Sequence, residues 1–276
     1  MNLSRQDFVL RYWNQECSPP PTTPLRSAIV GGLLNCLSLT EIVHLIRDEV
    51  TMDDRLREKV LARLTDDVLN ASSHVSSIVQ KLLKALEDNS HSKKSTAAYF
   101  LERLYDYLPS IRQRAIIYAL LRSPQTITRK RAYRILLHNW HPAWKSEIQR
   151  LWNERHESEC AIVIVDHFDP VFLVQHVEQL ARDLDDKAQV ARLYYRACTN
   201  DPGLLAKLRK QDGITYAYVS ARLGTGISKG IARNLLRKYE RDPRLGILVW
   251  SLGKLGQWDQ LVEIATRVDT IQKEML

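Results

Sequence analysis

Residues 157–184 read ESECAIVIVDHFDPVFLVQHVEQLARDL, and the Asp169-Pro170 step in the middle of this stretch decides the fold. On either side of the step, apolar residues recur with the spacing of a helix. Proline has no N–H and a fixed φ, so it is excluded from a helix interior but suits the first turn of a helix. The stretch therefore predicts two helices, 157–168 and 171–184, joined by a tight turn.

The same helix–proline–helix arrangement recurs elsewhere in the chain. Five prolines lie between stretches of helical period: Pro109, Pro142, Pro170, Pro202 and Pro243. The gaps between them are 33, 28, 32 and 41 residues, and three of the five follow an aspartate. Spacing of this kind is typical of stacked helical hairpins. We therefore predict an all-α fold, an α-solenoid of antiparallel helix pairs.

The prolines place each helix pair along the chain. The predicted pairs are 95–108 with 110–122, 126–140 with 143–154, 157–168 with 171–184, 186–199 with 203–211, and 227–241 with 244–255. One additional helix, Ile214–Leu223, accounts for the 41-residue gap, and a last helix over 258–271 would cap the stack. The β-branched segment 161–165 also fits a strand by composition, but a lone strand would have no partner, so we predict a helix there.

The first ninety residues also have helical period. We predict helices from Ser4, over 24–37, from Ser38 or Thr40, and over 53–64 and 72–87, with an extended loop at Cys17–Pro24. The most polar stretch of the chain, residues 89–95, is predicted to be a loop. We accordingly divide the chain into an N-terminal helical region, 1–90, made of further degenerate repeats or a helical cap, and a repeat region, 91–276.

The repeat region resembles the HEAT-like (armadillo/HEAT-type) family of α-solenoid repeats. The resemblance rests on the Asp-Pro turns, on Ser251-Leu-Gly-Lys-Leu-Gly256 at the end of a second helix, and on Pro109-Ser-Ile-Arg-Gln-Arg-Ala115 at the start of one. It covers about residues 95–270. The resemblance implies an architecture and no activity, because one fold supports many functions.

Composition limits the class of protein. The chain has 276 residues, 45% hydrophobic and 26% charged, as expected of a folded domain. Its longest apolar run, residues 28–34, is far shorter than the roughly 18 residues of a membrane span. Arg5, Asp7 and Arg11 interrupt any secretory signal, and the four cysteines are widely scattered, as buried thiols would be. We therefore expect a cytoplasmic protein with no membrane partner.

The net charge of +8 is unevenly distributed. Residues 103–150 hold ten basic and two acidic residues, 154–201 hold five and ten, and 202–254 hold eleven and three. Two explanations remain open: ion pairs between neighbouring repeats, with the acidic residues of 154–201 as the partners, or a surface for a polyanion. The candidate polyanion- or partner-binding residues are Lys130, Arg131, Arg134, Lys207, Arg209, Lys210, Lys229, Arg233, Arg237 and Arg241.

The last four of these residues form a stripe, one every four residues along a predicted helix. Like charges at this spacing repel weakly, so the stripe needs acidic residues or a polyanion nearby. In HEAT-like arrays the helix before the turn commonly lies on the convex side and the helix after it on the concave side. The resemblance therefore implies that the stripe of 227–241 lies in the outer layer, whereas Lys207, Arg209 and Lys210 lie in the groove layer.

Other conspicuous residues have structural interpretations. Four apolar residues after Pro142 share one helix face and could stack bases, but we predict that they belong to the core: Trp144, Ile148, Leu151 and Trp152. Two further groups, His156 with Cys160 and Asp166 with His167 and Asp169, are too incomplete for a metal or catalytic site. Asp169 is expected to cap a helix. We predict no cofactor, no metal and no catalytic residues.

These observations favour a non-enzymatic α-solenoid that serves as a scaffold or binding module for another macromolecule, in the first place a protein. Binding of the DNA or RNA backbone by the basic helices is the main alternative. A third possibility is an enzyme on a HEAT-like scaffold. Alkylpurine DNA glycosylases have such a scaffold, but their aromatic-and-acid active-site segment has no counterpart in this sequence.

Overall fold

The computed structural model describes most of the chain, namely residues 4–13, 23–48, 54–70, 72–88 and 90–274. Within these residues the protein consists of helices and the turns between them, with no strand, and the predicted all-α, solenoid-like fold is confirmed. The chain divides into two compact units, Met1–Asn139 and Trp140–Leu276.

The first unit contains eight described α-helices. They are α1 (Arg5–Trp13), α2 (Thr23–Cys36), α3 (Leu39–Asp48), α4 (Asp54–Asn70), α5 (Ser72–Ala85), α6 (His91–Leu104), α7 (Ser110–Leu121) and α8 (Thr126–His138). Alternate helices pack side by side, so that α2, α4, α6 and α8 form one layer and α1, α3, α5 and α7 form the other. The proposed boundary at residues 90–91 falls inside this unit, where α5 and α6 pack against each other.

Local sequence signals set the helix starts of this unit. At the start of α3, the Glu41 N–H donates to Ser38 Oγ (3.3 Å) and the Ser38 N–H donates to Glu41 Oε2 (2.8 Å). This reciprocal pair is a capping box, which satisfies two backbone donors that the helix itself leaves unpaired. Most of the predicted Cys17–Pro24 loop lies outside the described residues, and α2 already begins at Thr23.

The second unit contains nine described α-helices. They are α9 (Lys145–Arg155), α10 (Ser158–His167), α11 (Pro170–Asp183), α12 (Lys187–Cys198), α13 (Leu204–Gln211), α14 (Gly213–Leu223), α15 (Lys229–Lys238), α16 (Leu245–Lys254) and α17 (Trp258–Glu274). Here α10, α12, α14 and α16 pack side by side, and we call them the even layer. On the other side of the unit, α15 packs on α17. Helices α11 and α13 also pack against the even layer. We call α11, α13, α15 and α17 the odd layer.

The five prolines lie at helix junctions, as predicted. Pro109 precedes α7, Pro142 opens a 3-10 turn before α9, and Pro170 is the first residue of α11. Pro202 and Pro243 lie in the turns before α13 and α16. The Asp-Pro step works as a cap: Asp169 Oδ1 accepts a hydrogen bond from the Phe172 N–H at 2.9 Å. Asp169 thus has the capping role that its position indicated.

The β-branched segment 161–165 is helical, as predicted, and forms the middle of α10. Val163, Ile164 and Val165 are completely buried there, because α9, α11 and α12 all pack around this helix. A helix that is surrounded by other helices can be apolar on nearly every side. Tertiary burial therefore outweighs the strand propensity of these residues.

The prediction for α15 requires a correction. By the proline spacing, α15 was expected to occupy the same layer as α10 and α12, with α16 in the opposite layer. Instead α14 takes the next place in the even layer, between α12 and α16, and α15 is displaced to the odd layer. The reason is that α14 is buried over most of its surface and cannot be a surface connection. Gly213 at its start allows α15 to approach, since a Cβ there would lie 2.4 Å from Leu235 Cδ2.

Candidate interaction surfaces

The basic residues predicted on α8 belong to an ionic cluster within the first unit. Arg131 hydrogen-bonds to the Glu102 carboxylate on α6, and the Arg134 guanidinium lies 3.7 Å from the same carboxylate. Arg131 also lies over the ring of Tyr99, 5.2 Å from its centroid. Lys130 is half-buried and has an interaction partner as well. The contacts of these three basic residues therefore support ion pairing between neighbouring helices as their role.

Half of the α15 stripe is paired with α17. Lys229 Nζ lies 2.7 Å from Asp259 Oδ2, and Arg233 Nε lies 3.1 Å from Glu263 Oε2. The sequence had suggested the acidic residues of 154–201 as partners, and this was wrong. The physical reason is the displacement of α15 into the odd layer, which puts it beside α17.

The pairing stops halfway along α15. Both ion pairs join residues that are 30 positions apart. Arg237 and Arg241 are exposed, and neither has an ion pair with a side chain that the structure describes. Among the described side chains, the second half of the stripe therefore has no ion-pair partner, although Arg237 lines the same pocket as Glu240 and Glu263.

The last turn of α13 carries cations of the same kind. Lys207 lies 3.7 Å from Glu178, a weak exposed pair, whereas Arg209 and Lys210 are exposed and unpaired with respect to the described residues. The end of α15 lies beside the turn that joins α13 to α14, because the N–H of Gly213, the first residue of α14, donates to the hydroxyl of Tyr239 directly after α15 (3.1 Å).

We call this group of exposed cations the basic end of the second unit: Arg209, Lys210, Arg237, Lys238 and Arg241. Four of these five residues were candidates from the sequence. Lys238 was missed because it lies off the four-residue stripe; its ammonium lies 5.1 Å from the Tyr239 ring centroid.

Two carboxylates near the basic end in the sequence, Asp212 and Asp242, already have an ion-pair partner. Arg244 Nη1 lies 2.8 Å from Asp212 Oδ2, and Arg244 Nε lies 3.2 Å from Asp242 Oδ1. Burial would raise the pKa of Asp212, but hydrogen bonds from Arg244 and Thr215 outweigh burial and lower it. The hydrogen bond from Arg244 likewise lowers the pKa of Asp242. Glu240 is then the remaining acidic residue of the 202–254 segment, and it is exposed.

A different surface lies on the even layer, where α14 and α16 are side by side. The rings of Tyr218 and Trp250 are stacked at a tilt of 33°, with centroids 5.7 Å apart. The guanidinium of Arg222 lies 5.4 Å from the Tyr218 centroid and 5.6 Å from that of Trp250, and Lys254 Nζ lies 6.0 Å from Trp250. We call these four residues the aromatic platform. The platform is not visible in the sequence, because Tyr218 and Trp250 are on separate helices.

The helices around the aromatic platform lack acidic residues. As the structure bounds them, α12, α14 and α16 contain no aspartate or glutamate. The corresponding layer of the first unit differs: there Tyr99 lies near Arg57 and Arg131, and its hydroxyl donates to Glu58. Burial, followed by the bond to Glu58, raises the pKa of Tyr99 to about 12. One aromatic–arginine cluster thus includes carboxylates of the protein, and the other does not.

Other residues singled out in the sequence have structural roles. The stripe after Pro142 is buried, as predicted, with Trp152 completely enclosed and its indole N–H donating to Asp183 at 2.7 Å. Asp166 pairs with Arg192 at 3.0 Å, and the His167 ring stacks on Trp140 at 4.8 Å between centroids. Asp169 Oδ2 accepts a hydrogen bond from Lys145 Nζ at 2.8 Å, so both carboxylates of this group are engaged in ion pairs.

One cleft of about 630 Å³ lies in the first unit beside α3, α5 and the start of α6. Its lysines, Lys81, Lys84 and Lys93, are accompanied by Glu87 and Asp88, and Lys93 lies 3.8 Å from Asp88. The charges of this cleft are therefore largely balanced. Over the described ranges, no group of three or more His, Cys, Asp or Glu residues is placed to hold a metal ion.

The exposed features of the second unit are thus suited to binding: an aromatic platform and a basic end in different layers. None of the helices that the structure describes is both long enough and apolar enough to cross a membrane. Comparisons of the chain with models of protein families, with curated proteins and with solved structures gave no match.

Proposed function

We propose that the protein is a non-enzymatic scaffold, a binding module built of HEAT-like helical repeats, and that it recognises another protein through the aromatic platform. The observation that carries this proposal is the position of Trp250. Its side chain is 41% exposed although it is stacked on Tyr218 and contacted by two cations. Large exposed aromatic residues of this kind mark interaction surfaces more often than isolated apolar residues do.

The composition of the platform supports a protein partner. Tryptophan, tyrosine and arginine are the residues most enriched among those that dominate the binding energy of protein interfaces. Arg222 Nε donates to the Tyr218 hydroxyl at 3.1 Å, which holds the guanidinium beside the rings. Because these side chains are already ordered by one another, binding would cost them little conformational entropy.

The charge of the platform indicates the chemistry of the partner. Arg222 and Lys254 are cationic, and the helices around them provide no carboxylate. Ile247 lies one helical turn before Trp250 and is 44% exposed, which adds an aliphatic contact. A partner segment that combines acidic with aliphatic or aromatic side chains would complement both features.

Two further observations support the rest of the proposal. The carboxylates and imidazoles that could have been catalytic are engaged in caps, ion pairs and ring stacking, as described above. Cys160 and Cys198 are buried thiols, as expected, and burial raises the pKa of Cys198 to about 11, whereas the expectation of a buried thiol was wrong for Cys36, which is exposed. Inert free thiols suit a reducing compartment, so a cytoplasmic location is part of the proposal.

The test compares two exposed tryptophans of the same unit. The full chain, Trp250→Ala and Trp258→Ala are each purified from source cells, and co-purifying proteins are identified with and without nuclease. Trp258 is 74% exposed but belongs to α17, outside the platform, and it is the matched control. We expect a nuclease-resistant partner that binds the Trp258→Ala variant normally and binds Trp250→Ala about 30-fold more weakly, as loss of a dominant contact implies.

Circular dichroism and thermal melting establish first that both variants remain folded. A second variant, Arg222→Glu, places an acidic charge in the platform and should weaken the same partner. The proposal fails if the partner binds all variants equally, or if nuclease treatment releases it from the wild-type protein.

A further inference from the structure

We propose that the basic end is a second binding site, independent of the aromatic platform, and that its ligand is the phosphodiester backbone of a nucleic acid. The proposal begins with the ion pairs of α15. None of the five cations of the basic end has an ion pair with a described side chain, although Lys229 and Arg233 on α15 are paired. Asp212 and Asp242 form their ion pairs with Arg244 instead of with these cations.

The arrangement of these cations is suited to a chain of phosphates. They come from the ends of α13 and α15 and from the turn after α15, which the contact between Gly213 and Tyr239 brings together. Because the cations come from two helices and a turn, they are spread over a surface instead of lying along one helix. Three of the five are arginines, whose planar guanidinium group binds phosphate oxygens with two parallel hydrogen bonds.

The surroundings favour a nucleic acid over an acidic protein or a membrane. The exposed residues next to the cations are polar: Gln211, Asn234 and Glu240. Among the side chains that the structure describes, the basic end thus has no exposed large aromatic or aliphatic residue that would anchor a protein interface or insert into lipid. Binding by charge alone, without base contacts, is the mode by which proteins hold nucleic acid irrespective of sequence.

A structural role for these cations must be distinguished from binding. Basic residues in the last turn of a helix favourably complement the helix dipole, and this applies to Arg209, Lys210, Arg237 and Lys238. It does not apply in the same way to Arg241, which lies beyond the end of α15. A dipole role predicts lower stability on neutralisation and no nucleic-acid binding.

The experiment measures binding of labelled DNA and RNA oligonucleotides, single-stranded and duplex, to the full chain as a function of salt. If all five cations contact phosphates, the slope of log K against log salt is about −4.5 on duplex DNA and about −3.5 on a single strand. Affinity for the duplex should then fall about 500-fold between about 50 and about 200 mM salt. The affinities for DNA and RNA should be of the same order, since both carry the same backbone charge.

Three double variants carry the same change in net charge. Arg209→Gln/Lys210→Gln and Arg237→Gln/Arg241→Gln neutralise the basic end, whereas Lys229→Gln/Arg233→Gln neutralises the paired half of the stripe. Each basic-end variant should reduce the duplex slope by about 1.8, the value for two phosphate contacts, and the control should leave it unchanged. Trp250→Ala should also leave it unchanged, so a failure of the platform proposal would not affect this result.

Circular dichroism and melting confirm that each variant is folded before its slope is compared. The inference is overturned if the wild type does not bind at low salt, or if all three double variants reduce the slope equally, which would indicate net charge only. It is also overturned if poly-glutamate or phosphatidylserine vesicles bind more tightly than every oligonucleotide.

Discussion

Arg244 shows how a single side chain can engage two carboxylates from separate turns. It bridges Asp212, which caps the start of α14, and Asp242 in the turn before Pro243. Asp212 therefore stabilises the turn before α14, and Asp242 stabilises the turn before α16. The same bridge gives both carboxylates an ion-pair partner that is not one of the cations of the basic end.

This bridge should make stability depend on pH. The folded-state pKa values of Asp212 and Asp242 are lowered, so the ionised bridge stabilises the fold above the unfolded-state pKa of about 4 and is lost as the pH falls through the folded values. Arg244→Gln should lower the free energy of unfolding by about 1 kcal/mol at neutral pH. We expect this difference to shrink toward about pH 3, as measured by urea unfolding at both pH values.

Arg241→Gln, which removes a nearby unpaired cation, is the control and should show no such pH-dependent difference. A penalty for Arg244→Gln of equal size at neutral and acidic pH would show that the guanidinium acts by packing instead of by its charge.

At the scale of the elements, α14 determines the arrangement of the second unit. It lies between α12 and α16, and its first residue is in close contact with α15. The sequence predicted the existence and approximate bounds of this helix correctly, because its apolar period and the following glycines are local signals. The layer to which α14 belongs depends on burial against three other helices, and no local signal carries that information.

Gly213→Ala tests the close approach of α14 and α15. The added Cβ would lie 2.4 Å from Leu235 Cδ2 and 2.9 Å from Tyr239 Cε2, so both side chains would have to move. Overpacking of this kind typically costs about 1–3 kcal/mol, which exceeds the gain in helix propensity of about 1 kcal/mol. We therefore expect a lower melting temperature, by about 2–4 °C for each kcal/mol.

Gly230→Ala provides the matched control on α15. No atom lies within 4 Å of the position that its Cβ would occupy, so only the favourable change in helix propensity remains. This variant should melt at the same temperature as the wild type or slightly higher. Equal destabilisation by both substitutions would contradict the close packing at Gly213.

The two candidate surfaces differ in how much of each the sequence could predict. Arg237 and Arg241 were identified because a four-residue period is visible along one helix. The pairing of Lys229 and Arg233 with α17 was missed, although Asp259 and Glu263 repeat the same four-residue spacing and could have indicated it. The aromatic platform joins Tyr218 to Trp250 across two helices, and such a contact follows only from the packing of the layers.

At the scale of the whole molecule, the second unit should fold by itself. Its large core side chains, including Trp152 and Phe168, are buried, and Trp140 at its start is anchored on His167. We expect residues 140–276 to show the circular dichroism of a helical protein and to melt cooperatively. Residues 158–276, which lack α9 and therefore Trp152, should not. A non-cooperative melt of the longer fragment would mean that this unit depends on the first one.

The alternation of helices between two layers limits how such a chain can evolve by insertion of helices. Within each unit successive helices lie in opposite layers, so the layer that a segment reaches depends on whether an even or odd number of helices of that unit precedes it. Insertion of a hairpin preserves every downstream surface, whereas a single inserted helix exchanges the two sides for everything that follows. In this protein α14 acts as such a single helix, because it lies between two of the helix pairs that the prolines mark. As a result the stripe of α15 lies in the odd layer, which also contains α13. Whether the number of preceding helices is even or odd therefore determines, as much as any substitution does, which side chains lie in the same layer.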